Sequence, residues 1–516
     1  MKLQRLFAIL VLAVLCAGPA PAQDGGARNV ILMIADGIGF NGWLAADYYQ
    51  GRAGTQSYQV GRPDGSAPVV YGMTHYALNL VDADGRILPS RADARQAAGA
   101  VPQGYDPALR WQRFDGAMRN DFPPVGLNYT SYTDSAASGT ALLTGRKTAN
   151  GRINMDWRGE IAFRTIAQVA LEQGRAAGVV TSVQASHATP AAVIAHNSTR
   201  SDMAGIFREM LASDLAVIMG AGHPGYDSSG NRVEPPAGDA ESFAAVGGPE
   251  TWAALAGGAG PHVRVFIEAK SDFEALAAGD EVPARVVGIA RSRTTLQADR
   301  QGLPAADEPS GMALNPAVPT LAVMATGALN VLGRDPGGFF LAVEGGAVDW
   351  MGHDNDLPRF IEEQAAFNEA VAAVIAWVEA NSGWDETLLV ITSDHETGGL
   401  WGEGTFRNGT GGWLAADRSE EAVEAARYQP AEDTFLGFRA VQDRGAGRMP
   451  GHQWASGRHT NELVPLWALG AGAGRFAEFA RTDLQAAALW GEPYGWDGGY
   501  VDNTAVFHVM REALAR

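Results

Sequence analysis

Asp349 and His353 stand four residues apart in Asp349-Trp350-Met351-Gly352-His353. On a helix that spacing puts both side chains on one face, able to close on a single ion or on each other. Asp394-His395 offers a second oxygen and nitrogen pair, and His459 lies just before another apolar run, Leu463 to Leu469. Carboxylate and imidazole together suit zinc better than calcium or magnesium. Each piece alone is more often an ion pair or a core contact than a metal ligand; their number at the ends of apolar runs gives the set its weight.

Ser135 opens a run of small residues, Ser135-Ala136-Ala137-Ser138-Gly139-Thr140-Ala141, which Gly145 ends. The run reads as a tightly packed helix with Ser135 at its N-terminus. There Ser135 is either a cap or a nucleophile, because free N–H groups and the dipole favour a phosphate at that place. A serine hydroxyl needs a base or a metal to activate it. No G-x-S-x-G elbow surrounds Ser135, so metal activation fits better than a hydrolase triad.

The elements that must position these residues are short apolar runs with chemistry at their ends. Val30 to Ala35 ends at Asp36, and Ala177 to Thr181 leads towards His187 and Thr189. Phe339 to Val343 ends at Glu344, and Leu388 to Thr392 ends at Asp394. Such runs are strands buried on both faces. Helical patterns at Thr165–Gln173 and Phe360–Val378 lie between them. The alternation predicts an α/β fold: a central, mostly parallel sheet with helices on both faces. Ligands bind such sheets beyond the carboxyl ends of the strands, where the acids and histidines collect.

Six blocks, in order, resemble the alkaline phosphatases. They are Asn29–Gly37, Thr133-Asp134-Ser135-Ala136-Ala137, His187–Ala192, Glu344–Asp349, Asp394-His395 and His459-Thr460, and Val501-Asp502-Asn503-Thr504 resembles the family's last helix. The resemblance implies two zinc ions and one magnesium ion per chain. Asp349, His353 and His459 would hold the first zinc, and Asp36, Asp394 and His395 the second. Asp36, Thr189 and Glu344 would hold magnesium. Ser135 would be the nucleophile, Arg200 would grip two phosphate oxygens, and Asp134 would orient Arg200. The implied reaction is hydrolysis of phosphate monoesters through a phosphoserine, with water on the first zinc as the second attacker. His187 stands where some members have Asp, and Trp350 where some have Lys, which puts the third metal's identity and affinity in question. The remaining histidines (His75, His196, His223, His262, His452 and His508) match no ligand position. A sulfatase would need proline where Ala137 stands. A related phosphodiesterase would have less use for Arg200, since a diester has fewer free charged oxygens.

The 516 residues carry 46% apolar and 19% charged side chains, the balance of a packed globular protein. The net charge of −19 argues against a nucleic-acid-binding surface, and it requires local cations to attract an anionic substrate. Residues 1–22 read as a signal peptide: Lys2 and Arg5, an apolar run from Leu6 to Ala17, then Ala20-Pro21-Ala22. Its removal would take away Cys16, the sole cysteine, and leave no stable membrane anchor. The expected location is periplasmic or secreted. Residues 23–516 are expected to form one domain, with insertions near 41–128, 222–319 and 403–457. A homodimer is common in the family and is implied on that ground alone.

Overall fold

The computed structural model describes residues 26–515, apart from 63–66, 89–93, 103, 108–131, 236–238, 260–261, 406–436 and 456. The expected signal segment and much of the stretches 41–128 and 403–457 lie outside the described residues.

Among the described residues, eleven strands form the central sheet. In chain order they are β1 (Asn29–Ala35), β2 (Val69–Thr74), β3 (Ala176–Gln184), β4 (Val217–Ala221), β5 (Val265–Ile267) and β6 (Val286–Ile289). There follow β7 (Phe339–Gly345), β8 (Thr387–Thr392), β9 (Val464–Gly470), β10 (Arg481–Thr482) and β11 (Gly499–Asp502). Their order across the sheet is β10-β11-β2-β9-β8-β1-β7-β3-β4-β6-β5. From β8 to β5 every neighbouring pair is parallel.

The doubly apolar strands have a plain physical cause. Ile31, Met33 and Ala35 enter one hydrophobic core, while Val30, Leu32 and Ile34 enter the core on the opposite face. Phe339, Leu341 and Val343 alternate with Phe340 and Ala342 in the same way. A strand with period two covered on both faces must be apolar throughout. The Leu357–Asn381 helix buries Phe360, Phe367, Val371, Val374 and Val378 in the first core. The Ile166–Glu172 helix starts at a capping box between Thr165 and Gln168, and Gly174 follows it with φ of 75°.

Two stretches expected only as insertions also build the sheet. Residues 41–128 supply β2, which pairs with β9 and β11. Residues 222–319 supply β5 and β6, which extend the opposite edge. Neither has a long apolar run of its own, because β2 is half-covered at its start and β5 is an edge.

Parallel β1, β3, β7 and β8 all finish at one edge of the sheet. Register sets Glu344 level with Ile34 on one side and Thr181 on the other. β9 runs antiparallel to β8, so the residues that precede β9 reach the same edge as those that follow β8. That is how His459, far along the chain, comes to face Asp394-His395. Among the described residues, no helix is long and apolar enough to cross a membrane.

Candidate active site

Ser135 is the first residue of the Ser135–Thr144 helix and is buried. The cap is Asp134: its carboxylate accepts from the Ala137 N–H at 2.9 Å. The other Asp134 oxygen accepts from the Gly151 N–H at 2.9 Å and from Arg200 Nη1 at 3.2 Å. One side chain therefore starts the helix and anchors the arginine. Arg200 Nη2 lies 3.2 Å from His187 Nε2. Burial disfavours the Arg200 charge, but the facing carboxylates, Asp134 first, more than compensate.

Ser135 Oγ lies 3.2 Å from His395 Nε2. That nitrogen is 3.1 Å from Asp394 Oδ2 and 3.6 Å from Asp36 Oδ1. Asp36 sits one residue past β1, and the Gly37 N–H donates to Asp394 at 3.1 Å. Gly37 has φ of 77°, and a Cβ there would lie 2.5 Å from the Asp349 Cα. Only glycine permits that approach.

Asp349 and His353 are on one helix, Ala347–Asp354, and the spacing brings His353 Nε2 within 3.5 Å of Asp349 Oδ2. His459 Nε2 lies 3.4 Å from Asp349 Oδ1 and 3.1 Å from His353 Nε2. The remaining ring nitrogens are turned by backbone carbonyls: His353 Nδ1 faces Gly457 O at 2.8 Å, and His459 Nδ1 faces Thr133 O at 2.8 Å. Such outer contacts fix the ring orientation and leave Nε2 for a ligand. Thr189 Oγ1 lies 3.5 Å from Asp36 Oδ2, and Glu344 accepts a short hydrogen bond from Thr181.

Among the described residues, three groups of acids and histidines have donor atoms mutually within 4.8 Å: Asp349, His395 and His459; Asp36, Asp394 and His395; and Asp36, His187 and Glu344. His395 thus joins the first two, and Asp36 the last two. His187 enters the third group alongside the hydroxyl of Thr189. The ring of His187 also meets Trp350 edge-on, with centroids 5.9 Å apart.

Four carboxylates, Asp36, Glu344, Asp349 and Asp394, are buried together. Burial, then the charge of Asp394, pushes Asp36 well above the usual range. Burial raises Glu344 to about 7 and Asp394 to about 6. Asp349 goes the other way, because its imidazole neighbours outweigh the burial and hold it well below its usual value. Burial and then Arg200 lower His187 to about 3, so its imidazole is neutral. Among the described residues, buried Asp36 Oδ1, Asp394 Oδ2, Glu344 Oε1 and His187 Nδ1 find no partner with hydrogen-bond geometry. Crowded carboxylates with orphaned oxygens are what divalent cations satisfy.

Several residues that shape the site carry no readable signal in the sequence. Thr397 Oγ1 donates to Asp349 Oδ1 at 2.5 Å and lies 3.3 Å from His395 Nδ1. Asn150 Oδ1 accepts from the Asp134 N–H at 2.9 Å, and Gly151 O accepts from the Arg200 N–H at 2.9 Å. Three of the unassigned histidines face carboxylates outside the site: His196 with Glu209, His223 with Glu268 and His262 with Asp214.

The alkaline phosphatase family model matches residues 118–241 and 267–515. The chain belongs to the alkaline phosphatase family. It is 27% identical over 396 residues to alkaline phosphatase 4 of Bacillus subtilis, covering 69% of this chain and 76% of that protein. A streptomycin-6-phosphate phosphatase of Streptomyces griseus is 28% identical over 414 residues, 73% of this chain and 74% of the relative. The fold matches that of the Antarctic bacterium TAB5 alkaline phosphatase, with a TM-score of 0.55 at 19% identity, covering 95% and 98% of the two chains. Variants of that enzyme with a histidine replaced by aspartate or glutamate carry magnesium at a site named M3. Membership makes this chain a metal-binding phosphomonoester hydrolase.

Proposed function

We propose that the chain hydrolyses phosphate monoesters through a phosphoserine on Ser135, using two zinc ions and one magnesium ion. The observation that carries this reading is the seat of Ser135 Oγ, at a helix N-terminus and 3.2 Å from a histidine shared by two donor groups. Asp349, His353 and His459 would hold the first zinc, Asp36, Asp394 and His395 the second, and Asp36, Thr189 and Glu344 the magnesium. When bound, these ions supply Lewis acidity to the attacking and leaving oxygens and positive charge against the phosphoryl group.

Arg200, held by Asp134 and facing His187, presents its planar fork to two phosphate oxygens. It also provides local positive charge in a chain whose net charge repels anions. Ser135 Oγ gives up its proton and forms the bond to phosphorus as the bond to the alcohol oxygen breaks and that oxygen takes up a proton. Water then attacks the phosphoserine on the opposite side and gives up a proton, the Ser135 oxygen leaves and takes one up, and inorganic phosphate is released. The helix N-terminus and Arg200 stabilise the phosphoryl oxygens in both steps.

We further propose export, on the pattern of residues 1–22, one catalytic domain over 23–516, and a homodimer as the assembled form. Metal analysis of purified protein, with activity on an aryl phosphate monoester and its diester, tests the central reading. Two zinc equivalents and a strong preference for the monoester are expected; a metal-free protein of full activity, or a preferred diester, refutes it.

A further inference from the structure

The segment Val501-Asp502-Asn503-Thr504 is absorbed by none of the roles above. Asn503 joins β11 to the Thr504–Leu514 helix, is fully buried, and donates its N–H to Thr74 O at 2.9 Å. Its Oδ1 accepts from Lys147 Nζ at 2.6 Å, and its Nδ2 donates to Ser138 Oγ at 3.0 Å. Ser138 Oγ in turn donates to the carbonyl of Asp394 at 2.6 Å. Lys147 is fixed from two other sides, by Asp502 at 2.9 Å and by the Tyr76 ring at 3.8 Å. Asp502 is itself held by Thr74 at 2.9 Å and Thr504 at 2.7 Å.

The chemistry of these groups gives the chain one direction. An ammonium has only protons to give, so Lys147 requires the oxygen of the Asn503 amide and turns its NH2 towards Ser138. A hydroxyl has one proton, and with Asn503 donating to its oxygen that proton goes to Asp394 O. Without that constraint a helical serine can turn back to bond its own helix. Ser138 lies one turn along the helix from Ser135, and His395, which faces Ser135, directly follows Asp394. We infer that Lys147, Asn503 and Ser138 form a positioning relay that seats the Ser135 helix against the Asp394-His395 turn.

The inference rests on the reading of Ser135 as nucleophile. None of the three relay residues reaches the reacting atoms. Their effect is on the alignment of Oγ for attack, so it falls on phosphoryl transfer and spares the grip on bound phosphate.

The test compares Ser138→Ala, Asn503→Asp and the double variant, all metal-loaded, on 4-nitrophenyl phosphate. Asn503→Asp keeps the acceptor for Lys147 but offers Ser138 an acceptor where it had a donor. Each single variant is expected to lower kcat/KM about tenfold, with inhibition by inorganic phosphate changed less than about twofold. The double variant should fall no further than the worse single one, since both break one link. Zinc content should stay at the wild-type level. Should Asn503→Asp fail to fold, Ser138→Ala decides alone. Wild-type kcat/KM in Ser138→Ala, a parallel loss of phosphate inhibition, zinc loss, or multiplied losses in the double variant would each overturn the relay. Acid-quench trapping of phosphate on wild-type Ser135 tests the underlying reading separately.

Discussion

The Asp134 carboxylate accepts from Arg200 Nη1 at 3.2 Å while its other oxygen caps the helix that begins at Ser135. A single side chain therefore sets both Ser135, the proposed nucleophile, and Arg200, the proposed phosphate grip. Arg200→Ala should reduce kcat/KM on monoesters more than on diesters, because a monoester presents the extra charged oxygen that a bidentate guanidinium uses. Measuring both substrates in both proteins and converting to free energies decides it. Equal losses on the two substrates would contradict the assigned grip. Asp134→Ala should add a helix-capping loss of about 1 kcal/mol in stability, which Arg200→Ala lacks.

Ser135→Ala should abolish covalent phosphate trapping and leave zinc content nearly intact. Without Ser135 the three donor groups still keep three imidazole or carboxylate ligands each, drawn from Asp36, His187, Glu344, Asp349, Asp394, His395 and His459. Acid quench with labelled ester, beside metal analysis of the same preparation, provides the check. Labelled protein recovered from the variant would move the nucleophile elsewhere.

Glu344 links charge to stability in the metal-free protein. Burial raises it to about 7 from an ordinary value of 4.5. A carboxyl whose folded value is raised binds its proton more tightly when folded. Its contribution is present in full below about pH 4.5 and is lost as pH climbs to about 7. Glu344→Gln removes this ionisation at nearly constant shape. Stripped of metal, the variant should therefore gain on wild type as pH rises through that window, by up to about 3 kcal/mol at pH 8. Urea unfolding at pH 5 and pH 8 reads the difference. A gap that fails to widen towards pH 8 rejects the account.

Much of this site was legible because double-sided burial makes parallel strands apolar and leaves their polar ends conspicuous. Asp36, Glu344 and Asp394 follow or close such runs, and the helical spacing of Asp349 and His353 was readable directly. Thr397 was not, since it sits in a two-residue strand paired with His459-Thr460, a contact set by distant chain. Asn150 and Gly151 act from a loop through one amide oxygen and two backbone groups, which leave no periodic signal. β2 falls within a stretch whose sequence has the pattern of an insertion, because its cover comes from β9 and β11, which join it from far along the chain.

His187 is expected to set what the proposed third site prefers. Its Nδ1 is buried and finds no hydrogen-bond partner among the described residues, its Nε2 faces Arg200 at 3.2 Å, and burial followed by Arg200 holds it neutral. A neutral imidazole adds no negative charge to Asp36 and Glu344, and its nitrogen suits zinc better than magnesium. Magnesium needs hard oxygen ligands and usually keeps several waters. His187→Asp would bring a third carboxylate to the group, able to accept hydrogen bonds from such waters and to pair with Arg200. The variant should therefore need less magnesium for half-maximal activation, by about tenfold, the effect of roughly 1.4 kcal/mol. It should also retain magnesium through dialysis where wild type loses it, and resist displacement by excess zinc. Trp350, whose ring meets His187 at 5.9 Å, limits the room for added waters, so His187→Asp with Trp350→Lys is the informative companion. Magnesium titration of dialysed, zinc-loaded protein, followed by both activation and direct metal content, separates affinity from turnover. If both variants need as much magnesium as wild type, the charge at position 187 does not set the affinity of this site.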